Sequence, residues 1–72
     1  MPRPLDGSGQ PYITLAQFAK AHELAESGGG AKHLVRAGGF TVNGEADDRP
    51  GRKLHHGDVV VFAGKKMTVD IK

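Results

Sequence analysis

Residues 27–45 read SGGGAKHLVRAGGFTVNGE, and the fold is decided there. Ser27 is a helix N-cap, and a helix is expected from about Gly29 to Ala37, stopped by the Gly38-Gly39 pair. Ala31, Leu34 and Val35 make its apolar face, while Lys32, His33 and Arg36 share an adjacent arc, with Lys32 and Arg36 one turn apart. The period then drops from 3.6 to 2 at Phe40-Thr41-Val42, and Asn43-Gly44 is a strong two-residue hairpin signal. A helix followed directly by a hairpin indicates an α+β domain.

Upstream, Thr14 followed by Gln17 is a capping box that opens an earlier helix, expected to run to about Ala25. Leu15, Phe18, Ala19, His22 and Ala25 fall on one face of it, with Gln17, Lys20 and Glu23 elsewhere. His22 reads as a residue packed at the core boundary, and Leu24 as one packed where the helix ends. Residues 1–11 hold three of the four prolines and one large apolar residue, and a flexible tail is expected there.

Downstream, residues 45–53 are polar, with a turn at Pro50-Gly51 and a further short strand near Glu45. His56-Gly57-Asp58 forms another turn before the strand Val59–Phe62. Ala63-Gly64-Lys65-Lys66 then turns back into Met67, Val69 and Ile71, which alternate with Thr68, Asp70 and Lys72. Phe18, Phe40 and Phe62 all fall on core faces. The expected architecture is a helical hairpin on a small, mainly antiparallel sheet of three to five short strands.

Seventy-two residues make one domain, 12–72, after the tail. The chain has no cysteine, which excludes disulfides, thiolate metal sites and a cysteine nucleophile. Its longest apolar run, Val59–Ala63, is far short of the ~18 residues of a membrane span. No apolar stretch follows Met1-Pro2-Arg3, so no secretory signal is expected, and a cytoplasmic protein without membrane contact is the default.

Catalytic constellations do not assemble. Gly64-Lys65-Lys66 fails as a phosphate loop because Val59 and Lys66 stand where a glycine and a hydroxyl are required. His22-Glu23 lacks the second histidine of a zinc-helix motif, having Glu26 there. Adjacent His55 and His56 have no evident third ligand. The expectation is a non-enzymatic protein without cofactor or metal.

The net charge of +2 is unevenly placed. Residues 27–56 carry Lys32, Arg36, Arg49, Arg52 and Lys53 against Glu45, Asp47 and Asp48, together with three of the four histidines. Two features there suit a phosphate-rich partner. The Gly28-Gly29-Gly30 run bares the amides at a helix N-terminus, with Lys32 one turn in. The loop bearing Arg49, Arg52 and Lys53 offers planar guanidinium forks. The competing readings are a simple tight turn for the glycines, and arginines neutralised by Glu45, Asp47 and Asp48 for the loop. With no tryptophan and its phenylalanines in the core, the chain is a poor platform for stacking single-stranded bases, which favours recognition of folded RNA.

The run SGGGAKHLVRAGGFTVNGE, followed by R-x-x-R-K-L-x-x-G-D-V-V, closely resembles the S4-like RNA-binding domain, or αL motif, and within it the small stand-alone YbcJ-like bacterial members. The resemblance spans about Tyr12 to Lys72. It implies two packed helices against a strongly bent sheet, with structured RNA, ribosomal or transfer, bound along the second helix and adjoining loops. By position, it places Ser27, Gly28, Gly29 and Gly30 near a phosphate, and Lys32, His33 and Arg36 on the helix. Asn43 lies in the matching turn, and Arg49, Arg52 and Lys53 supply the loop contacts. Gly28 stands where many members carry an arginine, one cation fewer. A monomer acting on the ribosome or another RNA–protein assembly is expected; the alternative is a protein-interaction adaptor on such an assembly.

Overall fold

A computed structural model describes residues 5–71. Its elements, in chain order, are β1 (Ile13–Thr14), α1 (Leu15–Ala21), α2 (Gly28–Arg36), β2 (Phe40–Val42), β3 (Glu45–Ala46), β4 (Lys53–Leu54), β5 (Val59–Phe62) and β6 (Lys65–Thr68). The two helices pack against each other, and the strands form a four-stranded sheet of order β3-β2-β5-β6 and a separate β1-β4 ribbon. The described pairings are all antiparallel. This is the α+β class expected from the sequence. The β1-β4 ribbon is an addition to it, because pairs of two residues leave no periodic trace.

Helix α1 opens as its sequence dictates. The Gln17 amide donates to Thr14 Oγ1 at 3.2 Å, and the Thr14 amide donates to Gln17 Oε1 at 3.0 Å. It ends at Ala21, however, four residues before the expected Ala25. The Leu24 amide donates to the Ala19 carbonyl and the Glu23 amide to that of Lys20, with Glu23 left-handed at φ 60°. These are the two bonds of a Schellman cap. A left-handed glutamate costs about 1–2 kcal/mol, and the compensation is that Leu24 folds back onto the core instead of continuing off the helical stripe. The His22 ring, 4.1 Å from that of Phe18, covers the core boundary as expected.

Ser27 caps α2 by accepting the Gly30 amide at 3.1 Å. The helix starts and stops one residue earlier than expected, at Gly28 and Arg36. Ala31 and Val35 are fully buried and Leu34 is half-buried, so the apolar face meets α1 as its spacing requires.

Asn43 (φ 52°) and Gly44 (φ 86°) form the two-residue turn joining β2 to β3. A second turn of the same kind, Ala63 (φ 52°) and Gly64 (φ 77°), joins β5 to β6. The expected four-residue turn 63–66 is therefore only two residues long, and Lys65 and Lys66 already lie in the strand. Two successive positive φ values match the right-handed twist of the flanking strands. The register pairs Phe40 with Phe62, Val42 with Val60 and Val60 with Met67, so these side chains share the core face. The core joins them to Ile13, Leu15, Phe18, Leu54 and Val69, and the Phe40 and Phe62 rings stack at 4.2 Å.

Of the segment expected to be a flexible tail, residues 1–4 lie outside the described residues. Residues 5–11 form a turn around Asp6, whose carboxylate accepts from the Ser8 amide and hydroxyl and from the Gln10 amide. No helix of the described residues is long and apolar enough to cross a membrane.

Candidate nucleic-acid interface

The head of α1 fixes the basic loop in place. The first amides of a helix have no partner within it. Here Leu15 donates to the Arg52 carbonyl at 2.8 Å and Ala16 to the Pro50 carbonyl at 3.0 Å. The same loop then enters β4, which pairs Leu54 with Ile13 and Lys53 with Thr14. Residues 50–54 are thereby tied to the four successive residues Ile13–Ala16 of β1 and the head of α1, and α1 is packed on α2.

Two clefts meet at this junction. One, of about 330 Å³, lies between α1, the first turn of α2 and the Pro50-Gly51 turn, with Lys20 and Lys32 in its lining. The other, of about 470 Å³, is lined by Arg49, Gly51, Arg52, Lys53 and His55. Gly51 belongs to both, so the clefts adjoin at the Pro50-Gly51 turn, with Lys20 and Lys32 in the lining of one and Arg49, Arg52 and Lys53 in that of the other.

The cations differ in their partners. Asp47 accepts two side-chain hydrogen bonds from Arg49, from Nε at 3.1 Å and Nη2 at 2.8 Å, and a third from its backbone amide at 3.0 Å, and lies 3.7 Å from Arg52 Nε. The Arg49 guanidinium holds the Asp47 carboxyl down at about 2, and the carboxylate in turn raises the Arg49 pKa. Of the three acids weighed as neutralisers, Asp47 is the one that takes this role, and it takes both arginines. Arg52 Nε is shielded from solvent without a hydrogen-bond partner among the described residues. Lys20, Lys32, Arg36 and Lys53 have no carboxylate partner among the described residues. Lys53 instead lies 5.4 Å from the centre of the Tyr12 ring.

The glycines are not explained by crowding. A Cβ at Gly28 or Gly29 would meet nothing within 4 Å, and neither has a positive φ. Both are helical, so the tight-turn reading does not account for them; only Gly30, whose Cβ would come 3.3 Å from Ser27 Oγ, is crowded.

Of the sequence candidates, Gly28 and Lys32 line the first cleft, and Arg49, Arg52 and Lys53 the second. Ser27, Gly29 and Gly30 adjoin Gly28 in the cap and first turn of α2, and His33 and Arg36 continue along its exposed side. Asn43 does not line either cleft. Its side chain donates to Asp58 Oδ1 at 3.2 Å and accepts the Val59 amide at 2.9 Å, fastening the β2–β3 turn to β5. Lys20, Gln17 and His55 were missed as lining residues. Periodicity marks Lys20 and Gln17 as exposed, but only the packing of α1 on α2 brings them to the cleft. His55 is held by Asp6, at 2.5 Å from Nε2, a contact across 49 positions of chain.

Two packed helices with small antiparallel sheets agree with an S4 domain, and the chain belongs to that family. The family model described as "S4 domain" matches residues 8–70. The chain is also similar to the probable ribosome maturation protein RlbA of Bacillus subtilis (strain 168), being 48% identical over 52 residues, 72% of this chain and 73% of that protein. No solved structure gives a significant match.

Proposed function

We propose that this protein is a non-catalytic module that binds structured RNA, ribosomal or transfer, in the setting of ribosome maturation. The observation that carries the reading is the convergence of Lys20 and Lys32 with Arg52 and Lys53 around Gly51. Membership of the S4 family and likeness to a relative named for ribosome maturation support it. Three of these four cations, all but Arg52, have no carboxylate partner among the described residues and so are ready to replace counterions on a phosphate backbone. Gly28 and Gly29 place bare helix amides beside them, Ser27 capping that of Gly30, and Arg36 extends the basic side along α2. The core holds no buried polar or charged residue, so the charged chemistry of the described residues is at the surface, as a backbone binder requires.

Four or five neutralised phosphates give a slope of log K against log salt of about −3 to −4. Titration of ribosomal RNA fragments and transfer RNA at several salt concentrations measures it. A slope near zero, with firm binding to a ribosomal protein, would replace this reading with that of a protein adaptor.

A further inference from the structure

The cleft between α1 and α2 differs in character from the arginine-bearing one beside it. Ala16 and Pro50 supply apolar surface, and Gly28 and Gly51 leave the walls bare. Lys20 from α1 and Lys32 from α2 join the lining, which contains no carboxylate. Lysine stems lie along apolar surface while their ammonium groups stay in water, so the site pairs an apolar interior with cations. Its volume of about 330 Å³ is at the lower end of small-ligand pockets, roughly 300–1,000 Å³. A flat heterocycle carrying a phosphate on either side has the matching distribution of apolar surface and charge.

We propose that this cleft receives a single nucleobase turned out of its stack, with the adjoining phosphates against Lys20 and Lys32. The inference rests on the RNA-binding reading above and adds to it the element recognised: a bulged or looped-out nucleotide next to a helix. Two further observations support it. A Cβ at Gly28 or Gly51 would meet nothing within 4 Å and neither glycine has a positive φ, so the fold itself would accept a side chain at both. Their bareness serves whatever enters between them. Gln17 is held by the capping box through Oε1, which leaves its Nε2 hydrogens without a partner among the described residues. That amide is a preset donor for an acceptor on the edge of a base.

No aromatic residue lines the cleft, so the proline ring, the alanine methyl and the lysine stems form its contact surface, and discrimination among the bases is weak. Selectivity comes from extrusion instead. Unstacking a paired base costs a few kcal/mol, and least where the base is already unpaired.

The test compares two RNA hairpins with the same stem, one fully paired and one with a single bulged 2-aminopurine. The full chain is expected to bind the bulged hairpin at least tenfold more tightly and to change the 2-aminopurine fluorescence on binding. Gly51→Leu fills the cleft without altering charge, and Gly28→Val does so from the opposite wall. In either variant the ratio of bulged to paired affinity should fall to within about twofold of one. Equal affinity of the natural chain for both hairpins, with salt-dependent binding intact, overturns the nucleobase site and leaves the RNA reading standing. A preference that survives in both filled variants also overturns it. Failure to bind either hairpin, or natural ribosomal and transfer RNA, at low salt removes the RNA reading itself.

Discussion

Ala16 donates its amide to the carbonyl of Pro50 at 3.0 Å, and with the neighbouring bond from Leu15 to Arg52 this joins the head of α1 to the basic loop. A helix terminus that needs acceptors and a loop that exposes carbonyls satisfy each other. The loop backbone is thereby held against the head of α1, so Arg52 and Lys53 leave it from fixed positions.

The loop cations are not equivalent. Lys53 has no carboxylate partner among the described residues, whereas Arg49 is doubly bonded to Asp47. Lys53→Ala should therefore weaken RNA binding and flatten the salt slope by about 0.7–0.9, the value of one phosphate contact. Arg49→Ala should change the slope by much less. Binding isotherms at four or more salt concentrations separate the two, and an Arg49 effect as large as that of Lys53 would contradict the assignment.

Asp47 links this site to acid stability. Its carboxyl titrates at about 2 in the folded chain, against an ordinary 3.8, chiefly because Arg49 donates to it. A depressed folded-state value stabilises the fold above the unfolded value and ceases to do so as pH falls through the folded one. The Asp47 contribution is thus complete above about pH 5 and lost between about pH 4 and 2. Urea unfolding of the natural chain and of Asp47→Asn should show the natural chain more stable at pH 6, with the difference closing as pH approaches 2. A difference independent of pH would place the effect outside this ion pair.

Local chemistry was legible in the sequence, and long-range placement was not. Thr14 with Gln17, Ser27, and Asn43-Gly44 each specify a cap or turn through atoms two or three residues apart, and each forms as read. The end of α1 was misjudged because it depends on Leu24 reaching the core across a left-handed Glu23, which helical periodicity cannot register. The Ile13–Leu54 pair of the β1-β4 ribbon and the contact of Asp6 with His55 join residues 41 and 49 positions apart. At the candidate site, the cationic residues of α2 and the loop were identifiable by type. The sharing of Asp47 by two arginines, the arrival of Lys20 at the cleft and the employment of Asn43 in holding a turn all required the packed structure.

Ala63 is a local mismatch between residue and backbone. It sits at φ 52° in the β5–β6 turn, where alanine incurs steric strain that glycine and asparagine avoid or tolerate. Ala63→Gly should stabilise the fold by about 0.5–1 kcal/mol, the relief of that strain less the extra entropy of an unfolded glycine. Thermal melting checks it. RNA affinity should be unchanged, since Ala63 lines neither cleft.

Gly29 presents the opposite case, a residue more permissive than its backbone requires. It is helical, its φ is ordinary, and a Cβ there would meet no atom within 4 Å. Gly29→Ala should therefore stabilise the protein by up to about 1 kcal/mol, through better helix propensity and a less flexible unfolded chain. If the first turn of α2 is where a phosphate approaches the backbone, the same methyl group stands in its path and RNA affinity should fall, severalfold or more, while the melting temperature rises. Melting and binding measured on one preparation decide the matter. A stabilised variant that binds RNA as tightly as the natural chain would mean that the bare amides are not approached, and would confine the interface to the lysine and arginine side chains.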